Sequence, residues 1–432
     1  MKKMYGAEFI EELRNRDDSS QTDLEFDRNV LSIIDRVRSE GDKAVFDFTE
    51  RFDGVKLESL IVTEEEIAEA EQTVTEDFRR ALRSAKQRIT AYHEAQKEQS
   101  WFLNQNDGIM LGQKVTPIDS VGIYVPGGKA AYPSTVLMNA LPAAIAGVGR
   151  ISMVTPPQRD GKINPHVLVA AKEAGVGRIF KVGGAQAVAA LAYGTESIEK
   201  VVKITGPGNA YVARAKKWVF GDVAIDMIAG PSEICVVADA NTNAVYAAAD
   251  LLSQAEHDER AAAVCITTSE DFAEKLSSEI ERQLAELDRK EIAEQSIRQF
   301  GRIIIVDTVE DAFDVVNRLA PEHLELMIDN PMEHLAAIRN AGAIFLGQHS
   351  PEALGDYMAG PNHTLPTSGT AAFSSPLGVY DFMKKSSIIY YSEGALAEVA
   401  DDVITLAESE QLTGHANSIK VRKAGYSCAD SN

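Results

Sequence analysis

Several residue types are scarce in this chain, and each shortage narrows what it can be. Cysteine occurs three times in 432 residues, at Cys235, Cys265 and Cys428. An odd, widely spaced set is no disulfide framework, and a reducing cytoplasm is the compartment it fits. Basic residues are outnumbered, 43 Lys and Arg against 65 Asp and Glu, for a net charge of -22. A phosphate backbone selects a basic surface, so no nucleic-acid partner is expected. No apolar run approaches the length that spans a bilayer, so no membrane association is expected either. The opening MKKMYGAEFIEELRNRDDS has a basic pair with no apolar run behind it, unlike a secretory signal. Aromatics are only 7%, beside 45% hydrophobic and 25% charged residues, a globular composition. A chain this long is expected to divide into two or three domains.

What is present has two textures. Residues 1 to about 115 read as helical. TDLE (Thr22 to Glu25) and TEEE (Thr63 to Glu66) are capping-box patterns ahead of apolar-periodic runs, and a long charged amphipathic helix starts at Thr75. From Asp119 the pattern alternates. SVGIYV, RISMVT, RIFKV and VVKIT read as buried strands, each followed by a glycine-containing turn and a helix. That order predicts a parallel sheet with helices on both faces. The same grammar restarts at SEICVVAD and runs through AAAVCITT and RIIIVD to AGAIFLG. The repetition predicts two similar α/β units in succession. After Pro376 only short elements remain, too few to bury a core of their own.

Chemistry-bearing residues cluster at the junctions. VPGGKAAYPS, VGGAQAVAAL and TGPGNAYVARAK place glycine turns between strand ends and helix starts, where backbone N–H groups and the helix dipole favour phosphate. None is a full GxGxxG, and tight turns use glycine for geometry alone. Tyr124, Gln186 and Asn209 lie at the same predicted edge and offer polar contacts. In LLSQAEHDER, Gln254 and His257 are three apart and share a helix face. Imidazole and carboxylate suit a divalent first-row ion, and hydrogen-bonded histidines at helix ends are the alternative. APEHLEL sets Glu322 beside His323, two proton-transfer groups of different natural pKa, or a solvated helix end. GDYMAGPNHTLPT holds Asp356 and His363 on a loop stiffened by proline and glycine. AESEQLTGHANS carries Glu408, Glu410 and His415 around Gly414, read as a helix C-cap. Cys235 and Cys265 sit inside apolar strands, so neither reads as an activated nucleophile. These residues leave open a nucleotide- and metal-dependent α/β enzyme, a zinc hydrolase with purely structural glycine turns, and a non-catalytic metabolite-binding protein.

Taken together, VGIYVPGGKAAYPSTVLMNALPA, GGAQAVAALAYGTESI, KITGPGNAYVARAK, DMIAGPSEICVVAD, DLLSQAEHD, APEHLEL, GDYMAGPNHTLPTSGTA and AESEQLTGHANS resemble the histidinol dehydrogenase family. The resemblance runs in family order from about Val121 to Ser418. It implies one zinc per subunit, held by Gln254, His257, Asp356 and His415, and a catalytic pair at Glu322 and His323. It implies substrate contacts at Ser232, His363 and Glu410 besides Gln254, His257, His323, Asp356 and His415, and NAD contacts at Tyr124, Gln186 and Asn209. L-histidinol and L-histidinal are the implied substrates, in the last step of histidine biosynthesis. The implied assembly is a homodimer whose last small domain is swapped into the partner's site. The expected fold is α/β, with two doubly wound, incomplete Rossmann-like sheets plus small helical N- and C-terminal extensions. The expected parts are 1–25 as an extension, 26–118 with 232–376 as one α/β domain, 119–231 as the other, and 377–432 as the swapped tail. One departure is Asp258-Glu259-Arg260, where the resemblance implies a proline-containing turn.

Overall fold

A computed structural model describes residues 1–18, 24–105, 108–127 and 131–424. The chain forms two compact units. One comprises Met1–Gln96 and Ile118–Phe382; the other comprises Lys97–Pro117 and the chain from Met383 onward.

The first unit contains two parallel sheets, as the alternating sequence predicts. One has the strand order Arg178–Lys181, Arg150–Thr155, Ser120–Tyr124, Lys203–Thr205, Ala224–Ile225. The other runs Lys2–Tyr5, Arg302–Ile305, Ala262–Thr267, Glu233–Ala238, His323–Leu326, Ala343–Leu346. Numbered within its own stretch of chain, each sheet reads 3-2-1-4-5, with Lys2–Tyr5 added at one edge of the second. The repeat is therefore real in topology without being visible in the letters. The central strands are apolar on both faces because helices cover both. Ser120–Tyr124 is buried along its length, and so is His323–Leu326.

The N-terminal helices are built as their patterns predict. Thr63 makes the reciprocal capping box with Glu66, and Thr75 caps Glu76–Glu94. The TDLE cap falls on Thr22 and Asp23, outside the described residues. Helix Leu24–Glu40 buries Val30, Ile33, Ile34 and Val37, an apolar stripe at helical spacing. That stripe shares a core with Ala185 to Ala192, Val212 and Ala215 from the first sheet's helices. Residues 1 to 115 are not all helical, however. Lys2–Tyr5 pairs with Arg302–Ile305, and Trp101–Gln105 and Ile109–Pro117 pair antiparallel.

In the second unit those two strands join Met383–Tyr391 in a three-stranded antiparallel sheet. Helices Glu393–Ser409 and Thr413–Lys423 pack on each other. The first ends at Glu410, and Gln411 takes the positive φ of 60°. Gly414 is therefore no C-cap; it lies in the first turn of the next helix.

The TGPGNA turn is fixed by a buried ion pair. Gly206 has φ 109°, and a Cβ there would lie 2.1 Å from the Tyr124 carbonyl oxygen, so only glycine fits. Its N–H donates to the Asp226 carboxylate at 2.7 Å, and its carbonyl accepts from Lys216 Nζ at 2.9 Å. Lys216 and Asp226 also pair directly, both side chains being almost fully buried. Lys216→Met strands a buried carboxylate and is expected to lower stability by about 3–5 kcal/mol. Denaturant unfolding checks this; a loss under about 1 kcal/mol would mean that water reaches Asp226.

Candidate active site

The catalytic candidates converge where strand His323–Leu326 begins. Glu322 and His323 do not sit on a solvated helix end. His323 opens a strand paired with Glu233–Ala238 on one side and Ala343–Leu346 on the other, and both residues are buried. One backbone unit orients the two. The Glu233 N–H donates to Glu322 Oε2 at 2.9 Å, and His323 Nδ1 lies 2.9 Å from the Glu233 carbonyl oxygen. Nδ1 therefore carries the proton, and Nε2 is left as the basic nitrogen. No hydrogen-bond partner for Nε2 exists among the described residues; Glu352 Oε1 is 4.0 Å away. Burial lowers His323 to about 4, so it is neutral at pH 7. Burial raises Glu322 well above the usual carboxylate range.

Beside this pair lies a group of metal-ligating type. Ligand atoms of His257, Glu352 and Asp356 all fall within 4.8 Å of one another. Gln254, in the last turn of helix Ala244–Ala255, is buried with its Oε1 unpartnered among the described residues. His257 follows in the turn beyond. There Asp258 accepts the Arg260 N–H at 3.0 Å, an Asx turn that does the work expected of a proline. Asp356 lies in the short helix Glu352–Tyr357, so the stiff loop begins after it. That loop returns His363 to its own start: Nδ1 is 3.1 Å from the Asp356 carbonyl oxygen, and Nε2 is 3.3 Å from Thr135 Oγ1. Burial lowers His363 to about 4 as well.

Carboxyls crowd this site. Burial raises Glu352 to about 7 and Asp356 to about 6. Behind them Glu325 accepts the Glu352 N–H at 2.7 Å, and burial raises Glu325 and Asp250 too. Buried acids beside the His257 imidazole and an unpartnered amide oxygen are a donor set that a divalent cation suits. Glu352 escaped the sequence reading because PEALGDY resembles any short acidic helix; only the fold carries it to His257. Ser232 immediately precedes strand Glu233–Ala238. Glu410 and His415 belong to the second unit, where both are exposed.

A second feature lies at the carboxyl edge of the other sheet, where its strand order reverses, the usual place for a ligand in doubly wound folds. A cavity of about 960 Å³ is lined by Tyr124, Gln186 and Asn209 together with Asp53, Gly127, Pro156 and Tyr211. Tyr124 accepts the Gly184 N–H at 3.0 Å, and Gln186 Oε1 is buried without a partner among the described residues. Asn209 Oδ1 caps helix Ala210–Val219, leaving its amide nitrogen for a ligand. Gly128, Lys129 and Ala130 of VPGGKAAYPS are outside the described residues, as is Cys428. Cys235 and Cys265 are buried, and burial raises both thiols, so neither is an activated nucleophile.

The histidinol dehydrogenase family model matches residues 15–423. The chain belongs to the histidinol dehydrogenase family. Histidinol dehydrogenase of Clostridium acetobutylicum is 55% identical over 417 residues, covering 96% of each chain. That of Bacillus cereus is 58% identical over 395 residues, 91% of this chain and 92% of the relative. The crystal structure of histidinol dehydrogenase from Elizabethkingia anophelis superposes with a TM-score of 0.90 at 39% identity, covering 94% of this chain and 93% of that one. The family resemblance read from the motifs is thus borne out, together with the α/β fold class. Among the described residues no helix is long and apolar enough to cross a membrane.

Glu352 is the residue that the fold adds to the candidate donor set. If this group holds a divalent cation, Glu352→Gln is expected to lower several-fold the zinc retained per subunit after dialysis against a mild chelator, read by atomic absorption. Unchanged zinc content would remove Glu352 from the metal's surroundings.

Proposed function

We propose that this enzyme oxidises L-histidinol through L-histidinal to L-histidine, consuming two NAD+ and one water and forming two NADH. The observation that carries the reading is His323: neutral, held by Glu233, with its Nε2 unpartnered beside the His257, Glu352 and Asp356 group. In the first half-reaction Nε2 takes the hydroxyl proton of the alcohol as hydride leaves its carbon for NAD+. In the second, Glu322 takes a proton from the water that adds to the aldehyde. Burial makes Glu322 a weak acid, and its ionised form is correspondingly a strong base. The hydrated aldehyde then gives its hydride to the second NAD+ as His323 Nε2, having released its first proton to solvent, takes a hydroxyl proton and leaves the carboxylic acid.

Gln254, His257, Asp356 and His415 would hold a zinc ion, with Glu352 adjoining it. Bound there, zinc supplies Lewis-acid polarisation and a fixed seat for the substrate's imidazole and amino nitrogens. Ser232, His363 and Glu410 complete the substrate contacts, and Tyr124, Gln186 and Asn209 hold NAD. In our reading Glu410 and His415 act in the partner subunit of a homodimer. Their exposure within their own unit and that unit's small core support this. The work is cytoplasmic small-molecule metabolism, with neither nucleic acid nor membrane involved.

Supplying L-histidinol and L-histidinal separately tests the division of labour. His323→Ala is expected to slow both oxidations by about 10²–10⁴, the usual loss on removing a proton-transfer group. Glu322→Gln is expected to spare the alcohol step and slow the aldehyde step by a similar factor. Equal losses in the two steps for Glu322→Gln would refute the assignment of Glu322 to water.

A further inference from the structure

We infer that Asp53 receives the ribose diol of the adenosine half of the dinucleotide and so sets the preference for NAD over its 2'-phosphorylated form. The inference rests on the reading of the 960 Å³ cavity as the NAD site.

Asp53 is the last residue of helix Asp42–Asp53, and Gly54 at φ 71° turns the chain away beyond it. It lines the cavity with Tyr124, Gln186 and Asn209. Its Oδ2 is buried and has no hydrogen-bond partner among the described residues. Gln186 Oε1, in the same lining, is in the same condition. Two buried acceptors without donors select a ligand that brings donors, and neighbouring hydroxyls on a sugar are such a pair. Burial raises Asp53 to about 6, which agrees with an acid that has no partner in the free protein.

The position fits a gap in the sheet's own equipment. In doubly wound dinucleotide sites an acid shortly after the second strand reads the ribose. Here that strand, Arg150–Thr155, runs into Pro156 and Pro157, which offer neither a carboxylate nor an N–H. The next acid, Asp160, is exposed and already accepts the Lys162 N–H at 3.0 Å. Asp53 arrives instead from the N-terminal helices. Helix Asp42–Asp53 packs on Gly184–Tyr193, the helix that follows the Arg178–Lys181 edge strand. Helix Pro133–Ala146, whose Thr135 meets His363, packs on Glu76–Glu94 and Pro165–Ala174. Asp53 thus reaches the cavity from the side of the Gly184–Tyr193 helix, whereas Thr135 and His363 meet on Pro133–Ala146, and we assign the adenosine half to the Asp53 side. A 2'-phosphate beside Asp53 would face a desolvated carboxylate of like charge; Arg159 lines the same cavity but is exposed, where solvent screens its charge.

The test uses the zinc-loaded full chain. For Asp53→Asn, the KM for NAD+ is expected to rise about 10-fold, the loss of one charge-assisted hydrogen bond, with kcat nearly unchanged. The ratio of kcat/KM for NAD+ over NADP+ should fall about 10-fold or more. A measurement without mutation stands beside it: calorimetry on the unaltered enzyme should show 2'-deoxy-AMP and adenosine 2',5'-bisphosphate both binding about 10-fold more weakly than 5'-AMP. A folded Asp53→Asn enzyme with an unchanged NAD+/NADP+ ratio overturns the inference, as does equal binding of 5'-AMP and 2'-deoxy-AMP. A variant that loses thermal stability and kcat with both cofactors alike shows a structural role and overturns it too. If the unaltered enzyme reduces no NAD+ with L-histidinol, the function itself falls; if it does while the ratio stays put, only Asp53 falls.

Discussion

The peptide backbone of Glu233 holds both members of the proposed catalytic pair at once. Its N–H fixes the Glu322 carboxylate and its carbonyl fixes the His323 ring. Neither contact survives a change of register, because Ile234, one residue on, is paired with His323 in the sheet. A slip by one residue would put the His323 ring on the opposite face. The register is secured by the apolar core around Leu324, Leu326, Cys235 and Val237. Tautomer, base identity and neutrality of His323 thus follow from how a fully buried parallel strand must pair.

The same burial creates a problem that the site turns to use. Glu322, Glu325, Glu352 and Asp250 are all carboxyls that burial pushes upward, and Asp356 joins them. Without a positive charge nearby such a set is unfavourable when ionised. With one, the same set would become the seat we propose for a cation and for a substrate carrying basic nitrogens. Stability and chemistry therefore pull in opposite directions at this end of the second sheet. The first sheet resolves its own buried charge differently, by closing the Lys216 and Asp226 pair around Gly206.

Much of this was legible in the letters, and the misses have physical reasons. Strand and helix alternation from Asp119 onward was readable because parallel strands buried on both faces are continuous apolar runs. The repeat of order 3-2-1-4-5 was readable only as a repeated grammar, since topology constrains burial and not identity. Lys2–Tyr5 was missed because a four-residue edge strand of mixed polarity has too little pattern. The paired strands Trp101–Gln105 and Ile109–Pro117 were missed because the first is exposed from Trp101 to Asn104 and the second half-buried, with no clean alternation in either. Gln254 and His257 were picked out by a helical spacing that the fold does not keep, since the helix ends at Ala255 and His257 lies in the turn beyond, whereas Glu352 and Asp53 come to their sites only through tertiary packing. Gly414 misled because glycine after a helix usually caps it, yet Gln411 had already supplied the left-handed residue. The roles of Asp356 and His415 came from the family resemblance; the fold adds that Asp356 and His363 lie in contact.

The central claim is that one buried base and one water-activating carboxylate carry an alcohol through to an acid without release. The yield of NADH per L-histidinol, measured with zinc present and L-histidinol limiting, tests it most directly. The account predicts two NADH for each L-histidinol consumed. A yield of one, with L-histidinal accumulating, would contradict the role given to Glu322 and the claim that both oxidations share this site.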